Sequence, residues 1–466
     1  MDDIEDTIAA ISTPLGMGGI GIVRMSGARS MDILSRVFKR KGDDPLEGWR
    51  LYHGGVLDAG EQIDEVLVAI FKRPHSYTCE DMVEINCHGG LYVMRRILDL
   101  LLEQGARMAR PGEFTRRAFM NGRIDLSQAE AVSEVIYANT EKSLAVSMQH
   151  LTGQLRDRVQ ALRSDLVRVC SLLEVELDFA EEDVQFAERE ELHDLLTEIN
   201  GALECLLASF RKGKVLRHGV KMVIVGKPNV GKSSLLNALL KEDRAIVTEI
   251  PGTTRDSLEE QLEIHGILFR AVDTAGINVT DNIIERHGID RTYQHIESAD
   301  IIVHVFDGTE DVSDPEMDLS RQLIDGCRRG KYKIIAVINK SDLVCRMRAD
   351  QLLYHEPGIP VIFLSARELT GVKELENCLY DQVFAEHGQL TADAGTVILT
   401  RERHAQAIEE AISHIGHALA ALTTSMSPEF IAFDVRNALN SLGEIVGSVT
   451  TRDILNTIFD EFCIGK

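Results

Sequence analysis

One stretch of the sequence, GKPNVGKS at residues 226–233, restricts the possible fold more than any other. It matches the phosphate-loop pattern G-x-x-x-x-G-K-S/T, in which backbone N–H groups surround a phosphate and the lysine reaches its outer oxygens. The apolar run 220–225 precedes the loop, and a helical pattern over 234–240 follows it. Strand, loop and helix in this order predict a nucleotide-binding α/β domain, because the loop and the helix N-terminus together bind an anion.

A second motif, Asn339-Lys340-Ser341-Asp342, ends the apolar run 334–338 and indicates which base is bound. The Asp342 carboxylate can accept from both the ring N–H and the exocyclic amine of guanine, whereas adenine lacks that donor pair. Ser365-Ala366-Arg367 follows the predicted strand 360–364, where GTPases carry a backbone donor for the guanine oxygen. These motifs predict a guanine nucleotide.

The magnesium and switch residues lie between these motifs. Asp273-Thr274-Ala275-Gly276 closes another apolar strand, and the loop 252–256 carries Thr253 and Thr254. We expect Ser233, Thr254 and Asp273 to hold Mg²⁺. The predicted nucleotide contacts are Gly226, Asn229, Val230, Gly231, Lys232, Ser233, Ser234, Thr248, Glu249, Ile250, Thr253, Thr254, Asp273, Thr274, Ala275, Gly276, Asn339, Lys340, Asp342, Ser365, Ala366 and Arg367.

The composition indicates a soluble protein of about three domains, since the chain has 466 residues. Residues 1–6 are acidic and no apolar run reaches membrane-span length, so we expect a cytoplasmic protein without a signal peptide.

The eight cysteines include no C-x-x-C pair, which fits a reducing compartment. Cys79, Cys87 and His88 lack a fourth ligand at usable spacing and are interpreted as packed side chains. A net charge of −24 argues against broad nonspecific nucleic-acid affinity but leaves a local basic patch open.

Residues 1–120 predict an α+β domain. Gly16–Gly21 spells G-x-G-x-x-G, yet a second strand follows where a dinucleotide site needs a helix, so we interpret it as a β-turn. The predicted strands are 7–12, 20–25, 66–71 and 82–87, and the predicted helices are 30–38 and 91–104. Five arginines surround a single acid, Glu113, in the sequence: Arg107, Arg110, Arg116, Arg117 and Arg123. They form either a solvated face or a site for a polyanionic or carboxylate-bearing ligand.

The helical patterns stand on both sides of the nucleotide-binding segment. Apolar residues recur at spacings of three and four over 144–177 as one long helix, broken at 180–183, and again over 192–210, 407–419 and 435–446. Neither half has enough faces to close a core alone, so we expect one helical bundle interrupted by an inserted, doubly wound Ras-like α/β domain. The predicted segments are 1–120 (α+β), 121–215 (helical, first part), 216–386 (GTPase) and 387–466 (helical, second part).

Several further runs resemble the MnmE (TrmE) family of bacterial tRNA-modification GTPases over the whole length. They are Thr7-Ile8-Ala9-Ala10, Gly18-Gly19-Ile20-Gly21, the run RPGEFT at 110–115, the run AFMNGRIDL at 118–126, and FCIGK at 462–466. The resemblance implies a homodimer that binds 5-formyl-tetrahydrofolate or a related folate. It also implies a complex with the flavoprotein MnmG, and together the two proteins would install an aminomethyl-type group on the wobble uridine of certain tRNAs.

The resemblance places the folate contacts on Arg24, Glu84, Arg123 and Lys466. Their chemistry fits, because a glutamate-tailed pterin offers carboxylates to Arg and Lys and a ring donor edge to Glu84. An Arg stands at 123 where the family pattern often has Lys. Cys463 is either a nucleophile or a small packed side chain.

A different kind of function also fits part of the sequence. A regulatory GTP switch acting on a partner or ribosomal RNA would need the same nucleotide motifs. Such relatives typically append an RNA-binding module after the GTPase segment, whereas the segment here is amphipathic helix without a G-x-x-G loop.

Hydrolysis needs a residue that orients water, and Ile277 stands where Ras-type enzymes have Gln. Glu285 is the candidate for this role, because its carboxylate can accept a proton from water. The other interpretation is that Glu285 is a solvated carboxylate at the start of a helix. The resemblance implies that a potassium ion, held by Asn229 with Thr248, Ile250 and Thr253, replaces the arginine finger when two GTPase domains face each other.

Overall fold

The computed structural model describes residues 6–42, 45–178, 189–242, 259–273, 294–344, 346–349, 352–354, 358–384, 397–424, 426–449, 451–460 and 462–466. The chain divides into two compact units. Unit 1 comprises Met1–Ile136, Gln149–Gly201 and Ala407–Lys466; unit 2 comprises Tyr137–Met148 and Ala202–Gln406. The four-segment division expected from the sequence stays a prediction.

The strands and helices are numbered in chain order. The strands are β1 (Ile8–Ile11), β2 (Gly21–Ser26), β3 (Phe38–Arg40), β4 (Arg50–Asp58), β5 (Glu61–Phe71), β6 (Met82–Cys87), β7 (Arg107–Met108), β8 (Val220–Val225), β9 (Glu259–Ile264), β10 (Ile267–Asp273), β11 (Ile301–Asp307), β12 (Lys333–Asn339) and β13 (Val361–Phe363). The helices are α1 (Ser30–Val37), α2 (Leu91–Glu103), α3 (Glu113–Met120), α4 (Leu126–Ile136), α5 (Glu141–Leu151), α6 (Gln154–Asp178), α7 (Arg189–His218), α8 (Lys232–Glu242), α9 (Asp314–Arg328), α10 (Val372–Phe384), α11 (Glu402–Thr423), α12 (Pro428–Val446) and α13 (Arg452–Asp460).

Unit 1 contains a sheet in the order β3-β4-β5-β6-β2-β1-β7. Its pairs are antiparallel except β1 with β7, which is parallel. Alternate strand residues such as Val23 and Met25 join the apolar side chains of α1 and α2 in one core. The α+β prediction is confirmed. The four strands and two helices predicted there are present, although β5 begins at Glu61 and not at residue 66, and β3, β4, β7 and α3 were not predicted.

The helical part of unit 1 is built from both sides of the nucleotide-binding segment. α6 packs along α12, and α4 also contacts α12. On α6 the stripe formed by Leu155, Val159 and Leu162 is buried, and on α12 Val435 and Leu442 are fully buried. These contacts confirm the interrupted bundle, because residues from before and after the insert close one core.

The predicted single long helix over 144–177 is wrong. α5 ends at Leu151 and α6 begins at Gln154, and Gly153 between them has φ +93°. A positive φ in the left-handed region suits glycine and ends a helix, so the apolar spacing continues across a break in the backbone. The break predicted at 180–183 lies outside the described residues.

Unit 2 contains a sheet in the order β13-β12-β11-β8-β10-β9. Its pairs are parallel except β9 with β10. Met222 and Ile224 enter one core, whereas Val223 and Val225 enter a second core on the opposite face. Because both faces are buried, the strands are continuous apolar runs, and the predicted doubly wound α/β fold is confirmed.

Candidate nucleotide and N-terminal sites

The phosphate loop joins the end of β8 to the start of α8. Gly226 has φ +150° and Gly231 has φ +96°, and a side chain at Gly226 would collide with the carbonyl oxygen of Val305. Asn229 also lies in the left-handed region, at φ +67°. The strand, loop and helix predicted from the motif are therefore present, with glycine where the backbone turns back on itself.

Lys232 lies across this loop. Its Nζ donates to the carbonyl oxygens of Gly226 and Lys227, each at 2.8 Å, and the residue is 5% exposed. Ser233 and Ser234 follow in the first turn of α8 and are exposed. The ammonium, the helix N-terminus and two hydroxyl-bearing residues thus occupy one end of the loop, and this set of donors fits a polyphosphate with its divalent ion.

Asn339, at the end of β12, links two of the predicted motifs. Its Nδ2 donates to the carbonyl oxygen of Val230 at 2.8 Å, and its Oδ1 accepts from the N–H of Ala366 at 3.0 Å. The residue is 3% exposed. One buried amide therefore fixes the phosphate loop relative to the 365–367 loop, which the sequence motif alone does not reveal.

Asp342 lies three residues after Asn339 in the sequence and is exposed. Its Oδ1 accepts from the hydroxyl of Ser365 at 2.6 Å, and Ser365 Oγ in turn accepts from the N–H of Glu368 at 3.2 Å. These contacts orient the carboxylate at the surface between the two loops. The Arg367 side chain is 84% exposed.

Asp307, at the end of β11, belongs to the same cluster and was not predicted from the sequence. Its Oδ2 accepts from Lys340 Nζ at 2.5 Å, and Lys340 has φ +65°. Burial raises the pKa of Asp307, but hydrogen bonds from Lys340 and Thr309 outweigh it and hold the pKa below its usual range. The only sequence signal was the position of Asp307 at the end of an apolar run.

The switch predictions fall on residues whose placement is not described. Nine of the predicted nucleotide, metal and catalytic residues lie outside the described residues: Thr248, Glu249, Ile250, Thr253, Thr254, Thr274, Ala275, Gly276 and Glu285. For Asp273 the backbone is described, and it pairs with Ile224 at the end of β10. The roles assigned to these residues stay predictions.

A second candidate site lies in unit 1, where Arg24 of β2 stands opposite Glu84 of β6. Arg24 donates to Glu84 Oε1 from Nε at 2.9 Å and from Nη2 at 2.7 Å. Its guanidinium also lies 5.6 Å from the ring centres of Tyr77 and Phe114. Sheet register thus brings together two of the residues expected at the folate site.

The segment 462–466 closes one side of this pair. Arg24 Nη1 and the hydroxyl of Ser12 both donate to the carbonyl oxygen of Gly465, at 3.3 and 3.2 Å. Gly465 has φ +97°, and a side chain there would collide with the backbone of Ile11. Burial is the largest influence on Lys466 and lowers its pKa below the usual range. The positive charge of the neighbouring Arg24 lowers the pKa further.

An open pocket of about 560 Å³ is bordered by Glu84. Its walls include Trp49, Phe71, Tyr77 and Arg123. Arg123 donates to the carbonyl oxygen of Tyr77 at 2.7 Å, and its guanidinium lies 4.9 Å from the Tyr77 ring centre. The residues present fit a flat, polar, anionic ligand, because aromatic faces and the Arg123 guanidinium border one cavity.

The arginine cluster around Glu113 is only partly available to a ligand. Arg117 is 5% exposed, and its guanidinium contacts Asp6 at 2.5 Å, Glu80 at 3.1 Å and Glu113 at 3.3 Å. Arg107 contacts Asp6 and Glu113, each at 2.6 Å. The expectation that Glu113 is the single acid among these arginines is wrong. Asp6 and Glu80 also contact them, although both come from distant parts of the sequence. These two arginines hold the domain together and are not a free cationic face.

The described cysteines differ in burial: Cys87 and Cys170 are buried, Cys79 is half-buried, and Cys205 is exposed. Cys87 is buried, and burial, with a smaller effect of Asp64, raises its pKa to about 11. His88 pairs with Asp64 at 2.6 Å. Among the described residues Cys79, Cys87 and His88 do not converge as metal ligands. Cys463 is exposed.

No helix within the described ranges combines the length and apolar character that a membrane crossing requires.

Comparison with known proteins identifies related chains along the whole length. Residues 7–123 match the family description "GTP-binding protein TrmE N-terminus", and residues 126–463 match "MnmE helical domain". The chain is 46% identical to the tRNA modification GTPase MnmE of Syntrophus aciditrophicus, covering 99% of this chain and 100% of that protein. It is 42% identical to the protein of the same name from Geotalea uraniireducens, with 99% and 100% covered. Among solved structures, the G domain of the T. maritima FeoB iron transporter matches at 26% identity with a TM-score of 0.26, covering 35% of this chain and 98% of that one.

Proposed function

The chain belongs to the MnmE family of tRNA modification GTPases, and from this premise we propose that it couples GTP hydrolysis to modification of the wobble uridine of certain tRNAs. The group installed at C5 is of the aminomethyl or carboxymethylaminomethyl type. The GTPase activity and the tRNA-modifying character come with the family. The partner, the cofactors and the chemistry of the modified uridine are parts of the proposal.

The observation that carries the proposal is the position of Asn339. Its two hydrogen bonds fix the phosphate loop and the 365–367 loop at the same edge of the sheet. Asp342 stands next to it with an oriented, exposed carboxylate. GTP bound here would have its phosphates over Lys232 and the N-terminus of α8, and its base between the loops after β12 and β13.

The proposed partners are a second copy of this chain, the flavoprotein MnmG and tRNA, in the cytoplasm. A chain of net charge −24 has few means of binding RNA along its whole surface. Contact with tRNA would therefore be local or shared with the flavoprotein.

A folate such as 5-formyl-tetrahydrofolate is the proposed second ligand, bound by Arg24, Glu84, Arg123 and Lys466. Support comes from the pocket beside Glu84 and from the Arg123 guanidinium at its border. The folate would supply a one-carbon unit, and this chain's residues would hold its carboxylates and its pterin edge. Cys463 is exposed close to Lys466 in sequence, and a nucleophilic role for it stays a prediction.

Hydrolysis is proposed to need Mg²⁺ at Ser233, Thr254 and Asp273, and K⁺ at Asn229, Thr248, Ile250 and Thr253. Glu285→Ala should lower turnover by about 10²- to 10⁴-fold, as expected for loss of a general base, while GTP binding is retained. GTPase rates measured in potassium and in sodium test the ion. Equal rates would remove K⁺ from the proposal, and an active Glu285→Ala protein would make Glu285 a surface carboxylate.

The modification itself is tested in cells. Nucleosides from tRNA of cells with and without this protein should differ at the wobble uridine, and reintroducing the intact gene should restore the difference. Unchanged modification in cells that lack the protein would favour the regulatory switch.

A further inference from the structure

Three metal-binding side chains converge in the helical part of unit 1, and none of them belongs to either site described above. His414 and His417 lie on α11, and Asp434 lies on α12. Their ligand atoms all lie within 4.8 Å of one another. Among the residues that the structure describes, no other group of three histidine, cysteine or carboxylate donors comes as close.

Helix geometry explains why these side chains meet. His414 and His417 are three residues apart, so they project from the same side of α11. A second contact between the two helices joins Ser441 Oγ to Glu410 Oε2 at 3.4 Å. Since 410 precedes 414 while 441 follows 434, the two helices run antiparallel, and Asp434 lies opposite the histidine pair.

The two imidazoles face one carboxylate oxygen. Asp434 Oδ1 is 3.4 Å from His414 Nδ1 and 3.9 Å from His417 Nδ1. In a tetrahedral zinc site with bonds of about 2.0 Å, ligand atoms are separated by about 3.3 Å. The His414 separation of 3.4 Å matches that spacing, the His417 separation of 3.9 Å exceeds it, and rotation of the exposed His417 ring would close the difference.

We propose that His414, His417 and Asp434 form a binding site for a divalent first-row transition ion, with zinc as the reference ion. Imidazole nitrogens favour Zn²⁺, Co²⁺ or Ni²⁺, whereas Mg²⁺ and Ca²⁺ prefer a set of oxygens. Three protein ligands leave one tetrahedral position to water. The ion is reachable, because the His417 side chain is 68% exposed.

The bound ion connects α11 to α12. Both helices lie in the bundle whose core includes Ile415 and Val435, so a bond between them opposes their separation. An ion that binds only the folded state stabilises it in proportion to its occupancy. The site therefore makes the thermal stability of the helical bundle dependent on the transition ion.

The test is a titration of the full-length protein with Zn²⁺, followed by calorimetry. The protein is first saturated with Mg²⁺ and GDP and kept reduced, so that the nucleotide site is filled and no disulfide forms. We expect one zinc ion per chain and an increase in melting temperature. Co²⁺ should give the intense visible bands of tetrahedral nitrogen and oxygen coordination, without thiolate charge transfer.

Variants identify the ligands. His417→Gln and Asp434→Asn should each weaken zinc binding by at least about tenfold, since even residues that only support a metal ligand cost that much. His193→Gln is the matched control, because His193 is exposed beside Asp194 at 3.6 Å but belongs to no group of three donors among the described residues. Absence of zinc binding, or equal affinity in His417→Gln and the control, would overturn the proposal. Circular dichroism of each variant without metal shows whether its helices are intact.

Discussion

The nucleotide site and the N-terminal site are assembled in different ways. At the nucleotide site, the groups follow the carboxyl ends of β8, β12 and β13, and each stands in a short continuous motif. At the N-terminal site, Arg24, Glu84 and Gly465 are single residues from distant parts of the chain. A parallel sheet collects whole loops at one edge, so its site can be recognised from motifs. An antiparallel sheet joins single side chains through register, and register leaves no local pattern.

The two regions also differ in what their charges do. Asp342 and Arg367 stay exposed beside the nucleotide loops. In the N-terminal domain, Arg107 and Arg117 are neutralised by carboxylates of the same domain. A cluster of like charges in the sequence is therefore weak evidence for a ligand site, and the following predictions test the contrast.

Replacing Arg117 should have the largest effect. Arg117→Met leaves Asp6, Glu80 and Glu113 partly buried without their shared cation, which should lower the free energy of unfolding by about 3–5 kcal/mol. Urea unfolding followed by fluorescence of Trp49, the single tryptophan of the chain, reports on this domain. Arg116→Met is the control, because the Arg116 guanidinium contacts the neutral amide of Asn456, at 3.3 Å. A stable Arg117→Met protein with weakened folate binding would place Arg117 in the ligand site instead.

Base recognition should be the next largest effect. Asp342→Asn replaces one of the two carboxylate acceptors for the guanine ring N–H and amine by an NH2 donor, so GTP affinity should fall by about a hundredfold, which corresponds to about 2.7 kcal/mol. Xanthosine triphosphate, whose oxygen replaces the amine, should bind the variant better than GTP does. Equilibrium binding of both nucleotides measures the preference, with Asp318→Asn, which alters an exposed carboxylate, as control. Unchanged GTP affinity would contradict the assignment of Asp342.

Folate binding should respond more modestly to the loss of Arg24. Arg24→Ala removes one charged group from a site that keeps Arg123 and Lys466, so affinity for 5-formyl-tetrahydrofolate should fall by about tenfold. Calorimetry measures it, and Arg36→Ala, which removes an exposed arginine paired with Asp32, should bind normally. No binding heat with the intact protein would remove folate from the proposal.

The smallest expected effect is the pH dependence of that binding. The pKa of Lys466 is lowered, so its positive charge is lost at lower pH than that of an ordinary lysine. Affinity for a carboxylate-bearing folate should be highest below this lowered pKa and should fall as pH rises through it. The loss should correspond to about 1 kcal/mol or less, the usual value of a partly exposed charge pair. Lys466→Arg should flatten the profile, and an identical profile in that variant would exclude Lys466.

The sequence by itself determined most of the strands and helices and the phosphate-loop and base-recognition motifs of the nucleotide site. Buried runs such as Val220–Val225 predict strands because both faces of a parallel sheet are apolar. The motifs at Gly226, Asn339 and Ser365 identify a GTPase because phosphate and guanine need donors in fixed local order. The family resemblance added the folate residues, which composition and spacing would not have shown.

Tertiary structure alone decided where single side chains meet. The break at Gly153 depends on backbone conformation, which apolar spacing does not record. Two other features depend on contacts between residues far apart in the chain. Asn339 links two loops, and Asp6 and Glu80 are partners of Arg117. Hydrophobic periodicity and capping act over one or two helical turns, whereas hydrogen bonds and ion pairs across a fold are fixed only when strands and helices have packed.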